Sequence, residues 1–280
     1  MNTETQKKYY TLIEEIETYG QAAIAFSGGV DSTFLAKVAH DILGKNAIAI
    51  TVDSEAYPPS SIVSCRSLAE MIGIRLVEIK TSVFTIPGFV ENSPDRCYHC
   101  KKALFTMMLE KAKKHDITVL VDGSNSDDSA DYRPGIRALK ELDVKSPLKN
   151  NGFTKEDIRA VSKELGLTTW NMQSYACLAS RMPYGTSISP ELLEKTWRAE
   201  ELLENLGFAR FRVRHHGETA RLELDSDGME IILEHGTRQR VIDHLKALGY
   251  TYVTLDLEGY RSGSMNEILP AKVKNNPLGT

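Results

Sequence analysis

Two groups of residues in this 280-residue chain have types and spacings that can do chemistry. One is the turn Ser27-Gly28-Gly29-Val30-Asp31-Ser32. The other is a set of three cysteines, Cys97 and Cys100 in a Cys-Tyr-His-Cys run and Cys177 further on. A glycine turn that opens a helix is a seat for phosphate. The glycines let the backbone approach an anion with no Cβ in the way, and the helix N-terminus offers unpaired N–H groups and partial positive charge. The turn lacks the Gly-Lys-Ser/Thr ending of a Walker A loop and the third glycine of a dinucleotide fingerprint, so neither reading fits. The plain alternative is an ordinary strand-to-helix turn. A lone Cys-x-x-Cys can be a redox pair or half a zinc site. Zinc wants a fourth ligand, for which His99 is badly placed between the two thiols, and no second such pair exists. Three thiolates instead suit a [4Fe-4S] cluster with one iron open to an exogenous sulfide or substrate. Cys65, in a helical pattern between Val63 and Leu68, reads as a small core residue.

The elements that must hold these groups follow from periodicity. A helix over 6–18 leads into a buried strand, Ala22 to Phe26, and Phe34, Leu35, Val38, Ala39, Ile42 and Leu43 mark a helix behind the glycines. A second strand, Ala47 to Val52, closes on Asp53 and Ser54. A helix then runs to about Met71, with Gly73 past its end, and Arg75 to Ile79 is a third strand. Strands alternating with helices predict a parallel sheet, whose ligands sit beyond the strands' carboxyl ends. Asp53 and Ser54 stand at such an end, although Asp-Ser is also common turn chemistry. The strand from Ile117 to Val121 runs into an acidic loop, residues 122–135. Mg²⁺ takes one or two carboxylates together with water and phosphate oxygens, so Asp31 with Asp127 or Asp128 are candidate contacts. A solvated acidic loop is the alternative. Arg133 and Lys101 are candidates for meeting phosphate, Lys101 being equally a solvated lysine at a helix start.

Thr154 to Asp157 reads as a capping box opening a helix that ends near Leu165-Gly166. Residues 171–186, around Cys177, have no clear period and read as an active-site loop and a domain boundary together. From Ser189 a second, smaller α/β or α+β domain is expected: helix 190–206, strands 208–215 and 219–224, helices 228–235 and 237–248, strand 251–256. Glu200 lies against the apolar stripe of the first helix, where a carboxylate needs a partner. Arg212, Arg214 and Glu223 alternate with apolar residues on the strands, so one sheet face is apolar and the other charged. That charged face is either an anion pocket or a solvated surface with cross-strand pairs. The expected domains are 1–186, 187–270 and a tail, 271–280.

A charged fraction of 26% and a hydrophobic fraction of 41% suit a soluble enzyme. No run is long enough for a membrane span, and residues 1–10 lack a signal-peptide core, so the cytoplasm is the expected location. Net charge −4 gives no footprint for a polyanion and counts against nucleic acid.

Ser27-Gly28-Gly29-Val30-Asp31-Ser32 is similar to the signature of the PP-loop ATP pyrophosphatases, and Asn125 with Asp127 and Asp128 to the segment such enzymes place beside ATP. Across residues 10–270 the chain resembles the LarE family of ATP-dependent sulfur transferases. The matching elements include Asp131 to Gly135, Cys177 with Ser180-Arg181, Pro183 to Thr186, Arg212-Val213-Arg214, Tyr252 to Leu257 and Arg261 to Gly263. The resemblance implies an α/β PP-loop (adenine nucleotide alpha hydrolase-like) domain and adenylation of a carboxylate of pyridinium-3,5-biscarboxylic acid mononucleotide, releasing AMP and pyrophosphate. The oxygen is then replaced by sulfur, for a nickel-pincer nucleotide cofactor. It implies ATP on Ser27, Gly28, Gly29, Asp31, Ser32, Asp53, Ser54 and Asn125, beside which Lys101 and Arg133 stay the candidates for phosphate and Asp31 and Asp128 the candidates for Mg²⁺. The nucleotide substrate falls to Arg181, Glu200, Arg212, Arg214 and Glu223. The best-known type sacrifices its own cysteine, at the position of Cys177. With Cys97 and Cys100 present, this chain resembles a second type that carries sulfide on a [4Fe-4S] cluster held by three cysteines. A homo-oligomer, a hexamer through the C-terminal domain, is the family expectation, and the sulfur donor is not named by the sequence. A cluster-dependent tRNA thiolase would share the loop and thiols, but should add zinc-binding cysteine pairs or a basic surface.

Overall fold

The computed structural model describes residues 2–129, 134–172, 177–261 and 263–270. They fall into two compact units, 2–87 with 97–172 and 88–96 with 177–270.

In the first unit the order is α1 (Thr3–Tyr19), β1 (Ala22–Ala25), α2 (Val30–Leu43), β2 (Ala47–Asp53), α3 (Pro59–Ile72), β3 (Arg75–Lys80), α4 (Arg96–Lys113), β4 (Leu120–Val121), α5 (Gly135–Glu141), α6 (Pro147–Asn150) and α7 (Lys155–Glu164). The sheet is parallel throughout, in the order β3-β2-β1-β4. Its two faces are sorted by the period of two. Ile24, Ala47 and Ala49 pack with Leu12, Phe34, Leu35 and Ile158 on one side. Ala23, Ile48 and Ile50 pack with Phe105, Met108 and Leu139 on the other. Strand order turns at β1: β2 and β3 lie to one side of it and β4 to the other, which opens a crevice beyond the end of β1. The expected strand over 117–121 is shorter than its pattern. Ile117 N–H is spent on Ala112 O, closing α4, and Asp116 sits at φ 60°, so the extended ladder starts only at Leu120.

The second unit contains α8 (Pro190–Asn205), β5 (Phe211–His216), β6 (Thr219–Leu224), α9 (Ser226–Leu233), α10 (His235–Ala247) and β7 (Tyr252–Leu255). β5 and β6 form an antiparallel hairpin and β7 joins β6 in parallel. Phe211, Val213, Ala220, Leu222 and Leu224 pack on Leu203, Val241 and Leu245, which makes the apolar face of this sheet the core. The charged face is not solvated: Arg212, Arg214 and Glu223 are buried as well. The C-terminal unit also reaches further back than residue 187. Arg96, buried between Asn92 Oδ1 and the Ala179 carbonyl, and Asn92, which donates to Pro183 O, bind 88–96 to 179–188. No helix among the described residues is long and apolar enough to cross a membrane.

Candidate active site

In the first unit, β1 ends at Ala25 and the chain turns through Ser27 to Gly29 into α2. Gly28 has φ 71°, a conformation that disfavours any side chain, and a Cβ there would stand 3.1 Å from Cys65 Sγ on α3. The turn is fastened from inside. Ser32 Oγ accepts from Ser27 N–H at 3.2 Å, lies 3.1 Å from Ser27 Oγ and donates to Gly29 O at 3.2 Å. Gly29, the N-cap of α2, offers no side chain to the first N–H groups of the helix, so they stay available to an anion.

Asp31 lies in the first turn of α2. One oxygen accepts from Lys155, the first residue of α7; the other, Oδ1, is buried without a hydrogen-bond partner. Burial pushes this carboxyl above its ordinary range against the pull of Lys155, and Asp128 adds to the rise. A buried carboxylate with a spare oxygen beside a second acid is a donor set that suits a divalent cation carrying phosphate oxygens and water.

The loop after β4 closes on this turn. A Cβ at Gly123 would meet Ser32 N at 3.1 Å and Asp31 Cβ at 3.2 Å, so two backbones pass in contact there. Asn125 is buried; its N–H donates to Asp128 Oδ2 and its Oδ1 accepts from Asp127 N–H, both at 3.0 Å. Asp127 in turn accepts from Lys155 N–H at 2.8 Å, so its carboxylate caps α7. Asp53 and Ser54 stand at the end of β2, and Ser54 Oγ is buried with no hydrogen-bond partner. Lys101, in the second turn of α4, lays its stem over Gly135, with Nζ 5.8 Å from the centre of the Phe105 ring. Arg133 lies outside the described residues.

Cys97 and Cys100 stand three residues apart at the start of α4, where such neighbours share a face, and both are partly exposed. Cys65 is buried beneath the glycine turn, accepts from Thr51 Oγ1 at 3.6 Å, and burial pushes its thiol up, as befits a core residue. Cys177 belongs to the other unit, at the start of a single helical turn, 178–181. Cys97 and Cys100 lie in the first unit and Cys177 in the second. Among the described residues no group of three or more His, Cys, Asp or Glu side chains stands ready-made for a metal ion.

Around that turn the second unit gathers arginines. Arg181 forms a two-point pair with Glu200, both bonds 2.8 Å, and Glu200 also accepts from Val213 N–H at 3.0 Å. Burial penalises both charges, but each holds the other ionised, Glu200 below and Arg181 above their ordinary ranges. Arg214 donates to Glu223 at 2.8 Å, to Ser264 Oγ at 2.8 Å and to Ser180 O at 2.9 Å. Arg212 lies beside the Tyr260 ring, 5.2 Å from its centre. Burial first, and then the nearby Arg181 and Arg214, bring its guanidinium down to about 10, against the opposing pull of Glu200. Such a site suits an anion that arginine can bind in a fork.

Sequence reasoning passed over Lys155, Arg96 and Ser264. Lys155 was visible only as a capping-box residue; Ser264 and the Ala179 contact of Arg96 carry no local signal, since the residues joined lie tens of positions apart.

The sequence profile of the NAD synthase family matches residues 6–133. An uncharacterised protein of Synechocystis is 40% identical over 89% of this chain and 93% of its own length. An uncharacterised protein of Methanocaldococcus jannaschii is 33% identical over 85% of this chain and 90% of its own. The pyridinium-3,5-bisthiocarboxylic acid mononucleotide synthase of Lactiplantibacillus plantarum is 36% identical, covering 94% of this chain and 95% of that protein. With similarity running through both units and a PP-loop at the end of β1, the chain belongs to the LarE family of PP-loop enzymes.

Proposed function

We propose that the protein is an ATP-dependent sulfurtransferase acting on pyridinium-3,5-biscarboxylic acid mononucleotide. ATP is seated on Ser27, Gly28, Gly29, Asp31 and Ser32, with Asp53, Ser54 and Asn125 along the crevice. Phosphate or the leaving pyrophosphate is assigned to Lys101 and Arg133 as binding residues. Asp31 and Asp128 hold Mg²⁺. A substrate carboxylate oxygen attacks the α-phosphorus, the bond to the β-phosphate oxygen breaks, and pyrophosphate leaves. The acyl adenylate now has a good leaving group. Sulfide forms the new bond to the carbonyl carbon, and AMP departs with the former carboxylate oxygen. The observation that carries the first half is the uncapped start of α2 with the unpartnered Asp31 Oδ1 beside it.

Cys97, Cys100 and Cys177 would hold a [4Fe-4S] cluster, which would supply a transferable sulfide and spare the protein's own cysteine. The donor chemistry supports this: two thiols on one helical turn, and a third at the head of a turn enclosed by arginines. Arg181, Glu200, Arg212, Arg214 and Glu223 bind the phosphoribosyl end of the substrate. Assembly is through the C-terminal unit, as a hexamer, consistent with the exposed Leu233, Tyr252 and Leu257 there.

Iron and acid-labile sulfide, measured on protein purified without oxygen beside a Cys97→Ala variant, test the reading. Expected are about four irons per chain, lost in the variant, and sulfur gained by the mononucleotide and not by total tRNA. No iron after anaerobic reconstitution, with Cys177 converted to dehydroalanine on turnover, would establish the sacrificial route instead.

A further inference from the structure

The turn that bears Cys177 is held by its backbone. Three carbonyl groups in and beside it accept from arginines. Cys177 O takes Arg181 Nη1 at 3.3 Å, Ala179 O takes Arg96 Nη1 at 2.8 Å, and Ser180 O takes Arg214 Nη1 at 2.9 Å. Arg181 and Arg214 are already committed to Glu200 and Glu223. Arg96 is different. It comes from a segment 83 residues earlier in the chain, only 3% of its surface is exposed, and it is covalently next to Cys97.

Its guanidinium is aimed by Asn92, four residues back in the turn before α4, whose Oδ1 accepts from Arg96 Nη1 at 2.5 Å. Asn92 is itself built in at a cost. It is fully buried with φ 50°, a left-handed backbone that is uncommon outside glycine. Three further bonds fix it: Nδ2 to Pro183 O at 2.8 Å, its carbonyl to Gly185 N–H at 2.9 Å, and its N–H to Phe89 O at 3.3 Å. Strain of this kind persists only where the surroundings over-determine it. The result is a node that fixes the residue preceding Cys97 to the residue two after Cys177, through one buried side chain.

We infer that Arg96 is a positioning residue for sulfur transfer, which locks the Cys177 turn through the Ala179 carbonyl. This rests on the proposed role of Cys177. The bonds from Arg96 to Asn92 and Ala179 lie within its own unit, whereas the ATP seat belongs to the first, so the affinity for ATP should not depend on it.

The test is Arg96→Met in the full-length, anaerobically purified protein, with three readouts. The first is AMP formation with ATP and the bis-carboxylate mononucleotide, the second sulfur gained by the product, the third the alkylation rate of Cys177 by iodoacetamide after iron has been removed with a chelator, read by peptide mass spectrometry. Expected are an unchanged KM for ATP, AMP formation kept, and sulfur transfer reduced about a hundredfold, as for a reacting group displaced by an ångström. Cys177 alkylation should rise several-fold while that of Cys65 stays at its wild-type rate. A variant with wild-type sulfur transfer and wild-type Cys177 alkylation would overturn the inference. If wild-type protein forms AMP but transfers no sulfur, the functional reading fails, and the alkylation comparison still decides the role of Arg96. Should Arg96→Met not fold, Arg96→Lys keeps the charge without the planar fork. Raised Cys177 alkylation in that variant supports the assignment and an unchanged rate rejects it.

Discussion

Replacing Gly28 by alanine probes the seat of the phosphate turn from below. Two costs can be read from the structure. At φ 71° an alanine pays for a left-handed backbone, roughly 1–2 kcal/mol. Its Cβ would also stand 3.1 Å from Cys65 Sγ and 3.5 Å from Leu68 Cδ1, an overpacking at the mild end of the scale, about 1 kcal/mol. The sum is roughly 2–3 kcal/mol of stability, together with weaker ATP binding as the turn moves off its anchor. The second cost has an identifiable donor, so Cys65→Ala should relieve it and leave the first intact. Urea unfolding of Gly28→Ala, Cys65→Ala and the double variant gives the coupling directly, expected at about 1 kcal/mol in favour of the pair. ATP titration should show affinity lost in the single variant and partly restored in the double. Strict additivity, or a Gly28→Ala protein that unfolds at the wild-type urea concentration, would refute the close approach of α3 to the turn.

Glu223 is fully buried and receives Arg214, Arg221 and Ser264, so Glu223→Gln leaves buried positive charge uncompensated. Loss of about 3 kcal/mol or more is expected in urea unfolding followed by a probe in the second unit, with ATP binding unchanged. In the first unit, burial pushes the Asp157 carboxyl up, but bonds from Lys8, Thr5 and Thr154 outweigh it and hold it well below its ordinary 3.8. A depressed carboxyl contributes stability above its unfolded value that is lost as pH falls through the folded one. Asp157→Asn should therefore lower stability at pH 6 and flatten its fall below about pH 4, measured by urea unfolding across that range; an unchanged acid slope would contradict the assignment.

The parallel sheet, its helices and the phosphate turn were legible because they rest on local period and turn chemistry. Glu200 on an apolar helix face demanded a partner before any partner was visible, and Arg181 supplies it. The charged strand face was only half legible. Alternation separates Arg212, Arg214 and Glu223 from Phe211 and Val213, but cannot tell solvent from a second buried layer. Here 88–96, the 178–181 turn and Ser264 all come from distant parts of the chain. Lys155 was hidden by its own neighbourhood: Thr154 and Asp157 form the capping box so completely that the residue between them looked like filler, whereas its ammonium holds Asp31.

The Asn92–Arg96 node also constrains how the chain can be made. The polypeptide passes between its two units at 87–88, at 96–97 and again between 172 and 177, so neither unit is a continuous segment. During synthesis, 88–96 leaves the ribosome long before the turn it must bind, and the second unit stays incomplete until its C-terminal portion follows. Meanwhile the first unit can fold around its sheet and bring residues 87 and 97 to fixed places, turning 88–96 into a short tethered loop. The entropy of closing that loop is then spent before Ala179 and Pro183 arrive, which lowers the cost of capturing them. A cut near residue 186 would sever nothing covalent within the first unit, yet would leave Arg96 and Asn92 without the α8–β7 half of the unit that houses them.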